Sequence, residues 1–113
     1  MKLKEGVSIE GCCSEILVAG ITIIDPIFKY YGKEGVVTSG TEHYKHTAER
    51  SAHYRGAALD WRSWWFTNSE KNAILDILKC DLGPNFVVIL ANRGKSNEHY
   101  HIHWAPVFEA DHV

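Results

Sequence analysis

The histidines say more by their placement than by their number, which is seven in 113 residues. In His99-Tyr100-His101-Ile102-His103-Trp104 they alternate with aromatic and aliphatic residues. Successive side chains of a β-strand point to opposite faces. The run therefore predicts a strand with three imidazoles on one face and Tyr100, Ile102 and Trp104 turned into a core. Packing alone gives a strand no reason to line up three imidazoles, whereas metal binding or proton transfer does. A second cluster, Ser51-Ala52-His53-Tyr54-Arg55-Gly56-Ala57-Ala58-Leu59-Asp60, sets a histidine and a carboxylate on either side of a glycine that permits a tight turn. An imidazole nitrogen and a carboxylate oxygen are both good zinc ligands. With His53 and Asp60, a third ligand from His103 would complete a site with one open position, as catalytic zinc requires. His101 shares the strand face of His103, so geometry alone excludes neither.

The elements that must position these residues follow from periodicity and turn chemistry. Val7 to Ile9 is expected to be a short starting strand or an extended arm. Ile16, Leu17, Gly20, Ile23, Ile24, Ile27 and Phe28 recur at helical spacing, with Ser14 as a candidate N-cap. Pro26 predicts a kink or break near Asp25, and Gly32 and Gly35 a stop. Val36 to Thr38 and Ala57 to Trp61 read as strands, with a polar loop, Thr41 to Arg50, between them. Thr67 and Glu70 match a capping box, opening a helix that Gly83-Pro84 ends. Phe86 to Leu90 and Tyr100 to Trp104 read as two strands joined by the turn residues Asn92-Arg93-Gly94-Lys95. The expected fold is α+β, a small, mostly antiparallel sheet with helices packed on one side.

Composition narrows the options. Residues 1–113 make one domain, with 45% apolar residues and four Trp, enough for a compact core. A formal net charge of −2 argues against nucleic acid as a partner. Three cysteines, Cys12, Cys13 and Cys80, form no CxxC pair and no disulfide framework, so they read as small buried residues in a reducing compartment. Met1 to Gly6 carries no apolar signal core, and Thr22, Asp25 and Pro26 interrupt the stretch from Ile16 to Phe28. The chain is therefore expected to be cytoplasmic at synthesis and not to act in the membrane. A monomer is the working expectation, although the sequence does not fix the oligomeric state.

Ser51-x-His53-x-x-Gly56-x-Ala58-x-Asp60 resembles the SxHxxGxAxD signature of the zinc D-Ala-D-Ala peptidases, which include phage L-alanyl-D-glutamate endopeptidases. Val37-Thr38-Ser39-Gly40 resembles the strand and turn that lead into it. His101-Ile102-His103 resembles the HIH of the hedgehog signalling domain, whose second histidine binds zinc, and His46 has a hedgehog counterpart as well. The likeness runs in order from about Ile16 to Trp104. It implies a hedgehog/D-Ala-D-Ala peptidase-like fold, Zn2+ as cofactor, and His53, Asp60 and His103 as ligands. It also implies a carboxylate near the open position to take a proton from water and pass it to the leaving amine. Glu98 is the candidate. Glu98-x-Tyr100-His101 resembles the family's ExWH motif, a register that would make His101 the ligand instead.

The implied function is a zinc metallopeptidase acting on peptidoglycan stem peptides, as an endolysin-like endopeptidase or a small carboxypeptidase released to the cell wall at lysis. Family peptidases carry an arginine after the Ser-Gly turn to grip a substrate carboxylate. Here Lys45 is the partial substitute and Arg62 a second candidate, with His46 and His101 beside the substrate. The alternative is a zinc-stabilised, hedgehog-like binding domain without turnover. Zinc hydrolysis of an amide outside the wall is a third, weaker possibility. Trp61, Trp64, Trp65 and Phe66 form an aromatic patch just after Asp60, read mainly as packing around the metal but also able to stack on a sugar.

Overall fold

The computed structural model describes residues 1–42 and 51–107. Lys45 and His46, expected beside the site, lie outside the described residues, as do His43 and His112. The fold is α+β. Strands β1 (Lys2–Leu3), β2 (Val36–Ser39), β3 (Ala58–Arg62), β4 (Phe86–Ala91) and β5 (His99–Trp104) form a single open sheet in the order β1-β2-β3-β5-β4. β1 runs parallel to β2, and the other three pairs are antiparallel. The first strand therefore lies at Lys2–Leu3 and not at Val7 to Ile9, which has no strand pairing. Lys2 and Lys4 donate their amides to the Gly35 and Val37 carbonyls, so backbone pairing with β2 sets the strand, without help from side-chain patterning.

Three helices supply the other layer: α1 (Ser14–Ala19), α2 (Asp25–Tyr30) and α3 (Asn68–Leu82). A π-helical turn, Gly20–Ile24, joins the first two and carries the expected break. There the Asp25 amide reaches back five residues to the Gly20 carbonyl. The widened turn accommodates Pro26, which has no amide hydrogen to offer and whose ring would crowd a regular α-turn. Cys13 is the N-cap of α1 in place of Ser14, without a side-chain hydrogen bond. The α3 capping box forms as expected: Thr67 Oγ1 accepts from the Glu70 amide at 3.1 Å, and Glu70 Oε1 from the Thr67 amide at 2.8 Å.

The helices bury Ile16, Ile24, Phe28, Ile74 and Leu78 against Leu59, Trp61, Val88, Tyr100 and Ile102 of the sheet. Alternation along β3 and β5 thus gives one face to the core and leaves Asp60, Arg62, His99, His101 and His103 on the other. Of the aromatic patch, Trp61 and Phe66 are buried, Trp65 packs partly against the core and Trp64 stands 64% exposed. The cysteines are less buried than expected: Cys12 and Cys13 are partly covered, and Cys80 is exposed on α3. Among the described residues, no helix is long and apolar enough to cross a membrane.

Gly56 sits in the turn that separates His53 from Asp60 and adopts φ +71°. A Cβ there would also run into the Gly11 carbonyl, next to the point where Gly56 accepts the Cys13 amide at 2.8 Å. Gly56→Ala should lower stability by about 2–3 kcal/mol, combining left-handed strain with the clash. Urea denaturation measures this, and an unshifted midpoint would show that the turn does not depend on glycine.

Candidate metal centre

Strand register brings the site together. Asp60 on β3 lies directly opposite His101 on β5, while His103 faces Ala58, two residues along. His103 is on the same face as His101, about 6.6 Å further along the backbone. One ligand atom each from His53, Asp60 and His101 lies within 4.8 Å of the others, so these three could hold a metal ion. His101, the alternative third ligand, belongs to this group, and His103 does not. His103 stands behind it, with Nδ1 2.8 Å from His101 Nε2.

The donors fit a cation. His53 Nδ1 lies 2.9 Å from the Gly40 carbonyl oxygen, which can only accept, so the hydrogen sits on Nδ1. His53 Nε2 then faces Asp60 Oδ1 at 3.1 Å, a second acceptor. That approach needs positive charge between the two atoms, either a second proton on the ring or a metal ion. His101 Nδ1 approaches the same Oδ1 at 2.9 Å. Ligand atoms on a tetrahedral zinc ion with bonds of about 2.0–2.1 Å lie about 3.3 Å apart, close to these spacings. As a ligand through Nδ1, His101 would carry its hydrogen on Nε2 and donate it to His103. Outer partners of this kind hold a ligating histidine in one tautomer and orientation.

The electrostatics agree. Burial works against the charge on Asp60, yet hydrogen bonds from His101 and His53 and the charges of His53 and His99 outweigh it, pulling its pKa down to about 2. Burial likewise opposes protonation of His53, but the Asp60 carboxylate and the Gly40 carbonyl raise its pKa. His103 is pushed down, first by burial and then by positive charge on His101, Arg55 and His53.

The turn residues act as supports. Glu42 accepts the Ser8 amide at 3.0 Å, the Gly40 amide at 2.8 Å and the Ser39 hydroxyl at 2.8 Å. It thereby fixes the Ser39-Gly40 turn whose carbonyl orients His53. Ser51 Oγ accepts the His53 amide at 3.2 Å, and the Ala57 amide closes back on Ala52 at 2.8 Å.

Two residues were not legible as neighbours of the site. Glu42 stood out in no motif. His99, on the shared imidazole face but not named as a ligand, places Nε2 3.4 Å from Asp60 Oδ2 while its Nδ1 meets the Asn97 carbonyl at 2.8 Å. The strand alternation that put it on the face of His101 was the available signal.

Glu98, the expected acid, is buried. Its Oε1 takes the Ser63 hydroxyl at 2.7 Å and Lys71 Nζ at 2.7 Å, and its Oε2 the Gly94 amide at 2.9 Å. Burial alone would raise its pKa, but these partners, Lys71 foremost, hold it below the ordinary value, so the carboxylate is ionised at neutral pH. It lines a groove with Asp60, Arg62 and His99. Arg62, opposite His99 in the register, holds its guanidinium carbon 5.6 Å from the Trp64 ring and 5.2 Å from the Trp65 ring.

Comparison with protein-family models, with curated proteins and with solved structures finds no match to this chain.

Two outcomes test the centre. His53→Ala and His101→Ala should each abolish stoichiometric zinc binding, whereas His103→Ala should keep it with affinity lowered about 10–100-fold, as for an outer partner. Metal content after dialysis and competition with a chromophoric chelator read both; full loss in His103→Ala alone would return the third position to that residue. Affinity should also climb with pH. The raised pKa of His53 means that its proton competes with the metal up to a higher pH than for a free imidazole. In the metal-free protein the charged His53–Asp60 pair contributes stability above the unfolded Asp pKa, lost as pH falls through about 2. The His53 share is present below the unfolded His pKa and is lost as pH rises through its raised folded value. Zinc titrations between about pH 5.5 and 8 should therefore show tightening with proton release, and a flat profile would contradict the assignment.

Proposed function

We propose that the chain is a zinc-dependent peptidase, related to the zinc D-Ala-D-Ala peptidase and hedgehog superfamily, that hydrolyses peptidoglycan stem peptides. The observation that carries this reading is the meeting of His53, Asp60 and His101 on the open face of the sheet. The other signature residues support it: Ser51 and Gly56 shape the turn that presents His53. Two histidines and a carboxylate make a three-ligand set, the pattern of catalytic zinc with a position left for substrate or water. Zinc held there would supply a Lewis acid that polarises a carbonyl and acidifies a water molecule.

The protein's own groups supply the rest. Gly40 and His103 orient the two imidazoles. Arg62, with Lys4 in the same groove, offers positive charge to a substrate carboxylate, which stem peptides carry in abundance. Glu98 is the proposed proton carrier, ionised and at the groove, taking a proton from water and delivering it to the leaving amine. Release of the protein to the cell wall belongs to the same proposal.

One observation favours a second reading, a metal-stabilised binding domain. Both Glu98 oxygens are engaged, by Ser63, Lys71 and Gly94, so a base role requires the carboxylate to give up one of these partners.

Metal-loaded protein incubated with Gram-negative peptidoglycan should release stem-peptide fragments, identified by mass, and a chelator should stop the release. In Glu98→Gln, metal content should stay at one per chain while hydrolysis falls at least about 100-fold. Hydrolysis retained in that variant, with a lower thermal midpoint, would make Glu98 a strut of the β4–β5 turn and direct substitution next to His99. Absence of any release from zinc-replete wild-type protein would leave the binding-domain reading.

A further inference from the structure

Trp64 is the one bulky side chain that the aromatic run leaves largely in water, at 64% exposure. Its neighbours hold it in place: its ring centroid lies 5.5 Å from that of Trp65, and the Arg62 guanidinium bridges both indoles. An isolated exposed aromatic is common and needs no explanation. This one forms a wall of a groove of about 310 Å³ that also contains Asp60 and His99. The groove is further lined by the polar residues Thr38, Ser96, Asn97 and Lys4.

A flat indole joined to hydroxyl, amide and ammonium groups is complementary to a ligand with a C–H face and a polar rim. A pyranose ring has that form: its axial hydrogens lie on an aromatic face while its hydroxyl and acetamido groups take hydrogen bonds. An apolar ligand would leave Ser96, Asn97 and Lys4 desolvated without partners, which opposes binding. The volume lies at the low end of ligand pockets, about 300–1,000 Å³, a size for one ring and not for a polymer segment.

We propose that this groove is a subsite for a single N-acetylated sugar ring stacked on Trp64, bordering the metal centre. Its biological meaning rests on the peptidoglycan reading above. In that polymer the stem peptide hangs from every second sugar, so a ring on Trp64 brings the sugar-proximal end of the stem to the metal. The protein then favours stem peptides still attached to glycan over free ones.

Chitotriose, an N-acetylglucosamine trimer without peptide, tests the subsite apart from catalysis. Titrated into zinc-loaded protein, it should shift the Trp64 indole N–H resonance saturably. Trp64→Ala should weaken binding about tenfold or more, and Trp64→Phe should keep part of it. In turnover, KM for a sugar-bearing muropeptide should lie below that for the same free peptide. Trp64→Ala should erase this difference. No shift at Trp64, or equal binding by Trp64→Ala, overturns the subsite. Sugar binding at Trp64 without cleavage of any stem peptide upholds the subsite and sinks the peptidase reading; cleavage indifferent to the sugar does the reverse.

Discussion

Asp60 keeps its negative charge with only 14% of its side chain in water, a position a lone carboxylate could not hold without taking up a proton. Three imidazoles make that charge tolerable, His53 and His101 at one oxygen and His99 at the other. The rest of the local structure follows from keeping these rings aimed. His53 can face Asp60 only because Gly40 claims its other nitrogen, and Gly40 is in place because Glu42 clamps its amide. A half-buried charge thus organises a chain of hydrogen bonds reaching from β3 to the N-terminal segment at Ser8.

The sheet separates two tasks by parity. Trp61, Tyr100 and Ile102 are fully buried on one face, so β3 and β5 cannot slip by one residue without turning those side chains into solvent. The packing of the core therefore also fixes which polar residues meet on the opposite face. Asp60 opposite His101 and Arg62 opposite His99 are consequences of a register chosen by hydrophobic burial. A metal held on this strand would be economical in a chain this short, because the element that builds the core would also carry its ligands.

What the sequence made legible were features with a local cause. The alternation of β5, the capping box of α3, the break before Pro26 and the α+β class each follow from residues within a few positions of one another. The pairing of His53 with Asp60 was legible too, through a glycine turn seven positions wide. The choice between His101 and His103 was not. Both satisfy the same parity, and only the pairing of β5 with a strand some forty residues earlier separates them. Glu98 had the same difficulty: in sequence it sits in a polar turn, but in the fold it is buried beneath Lys71 from α3 and Ser63 from the end of β3. β1 was not legible, because it is made by backbone pairing of Lys2 and Leu3, whose side chains announce nothing.

The same hydrogen bonds bear on how the centre behaves with and without its metal. A proton shared between His53 and Asp60 gives the metal-free fold an ion pair where the metal would otherwise sit, so the site has a preformed, if weaker, closed state. A metal ion bound there would exchange with a proton and have little backbone to reorganise, since Gly40, Gly56 and His103 already hold the rings. Preorganisation of this kind lowers the entropic cost of binding. It also means that the folded domain and the metal site are less tightly coupled than in zinc fingers, where the unligated chain is unfolded. The extensive core on the other face of the sheet, centred on Trp61 and Tyr100, includes none of the three candidate ligands. At the open face, Arg62, His99 and Trp64 line a groove with Asp60.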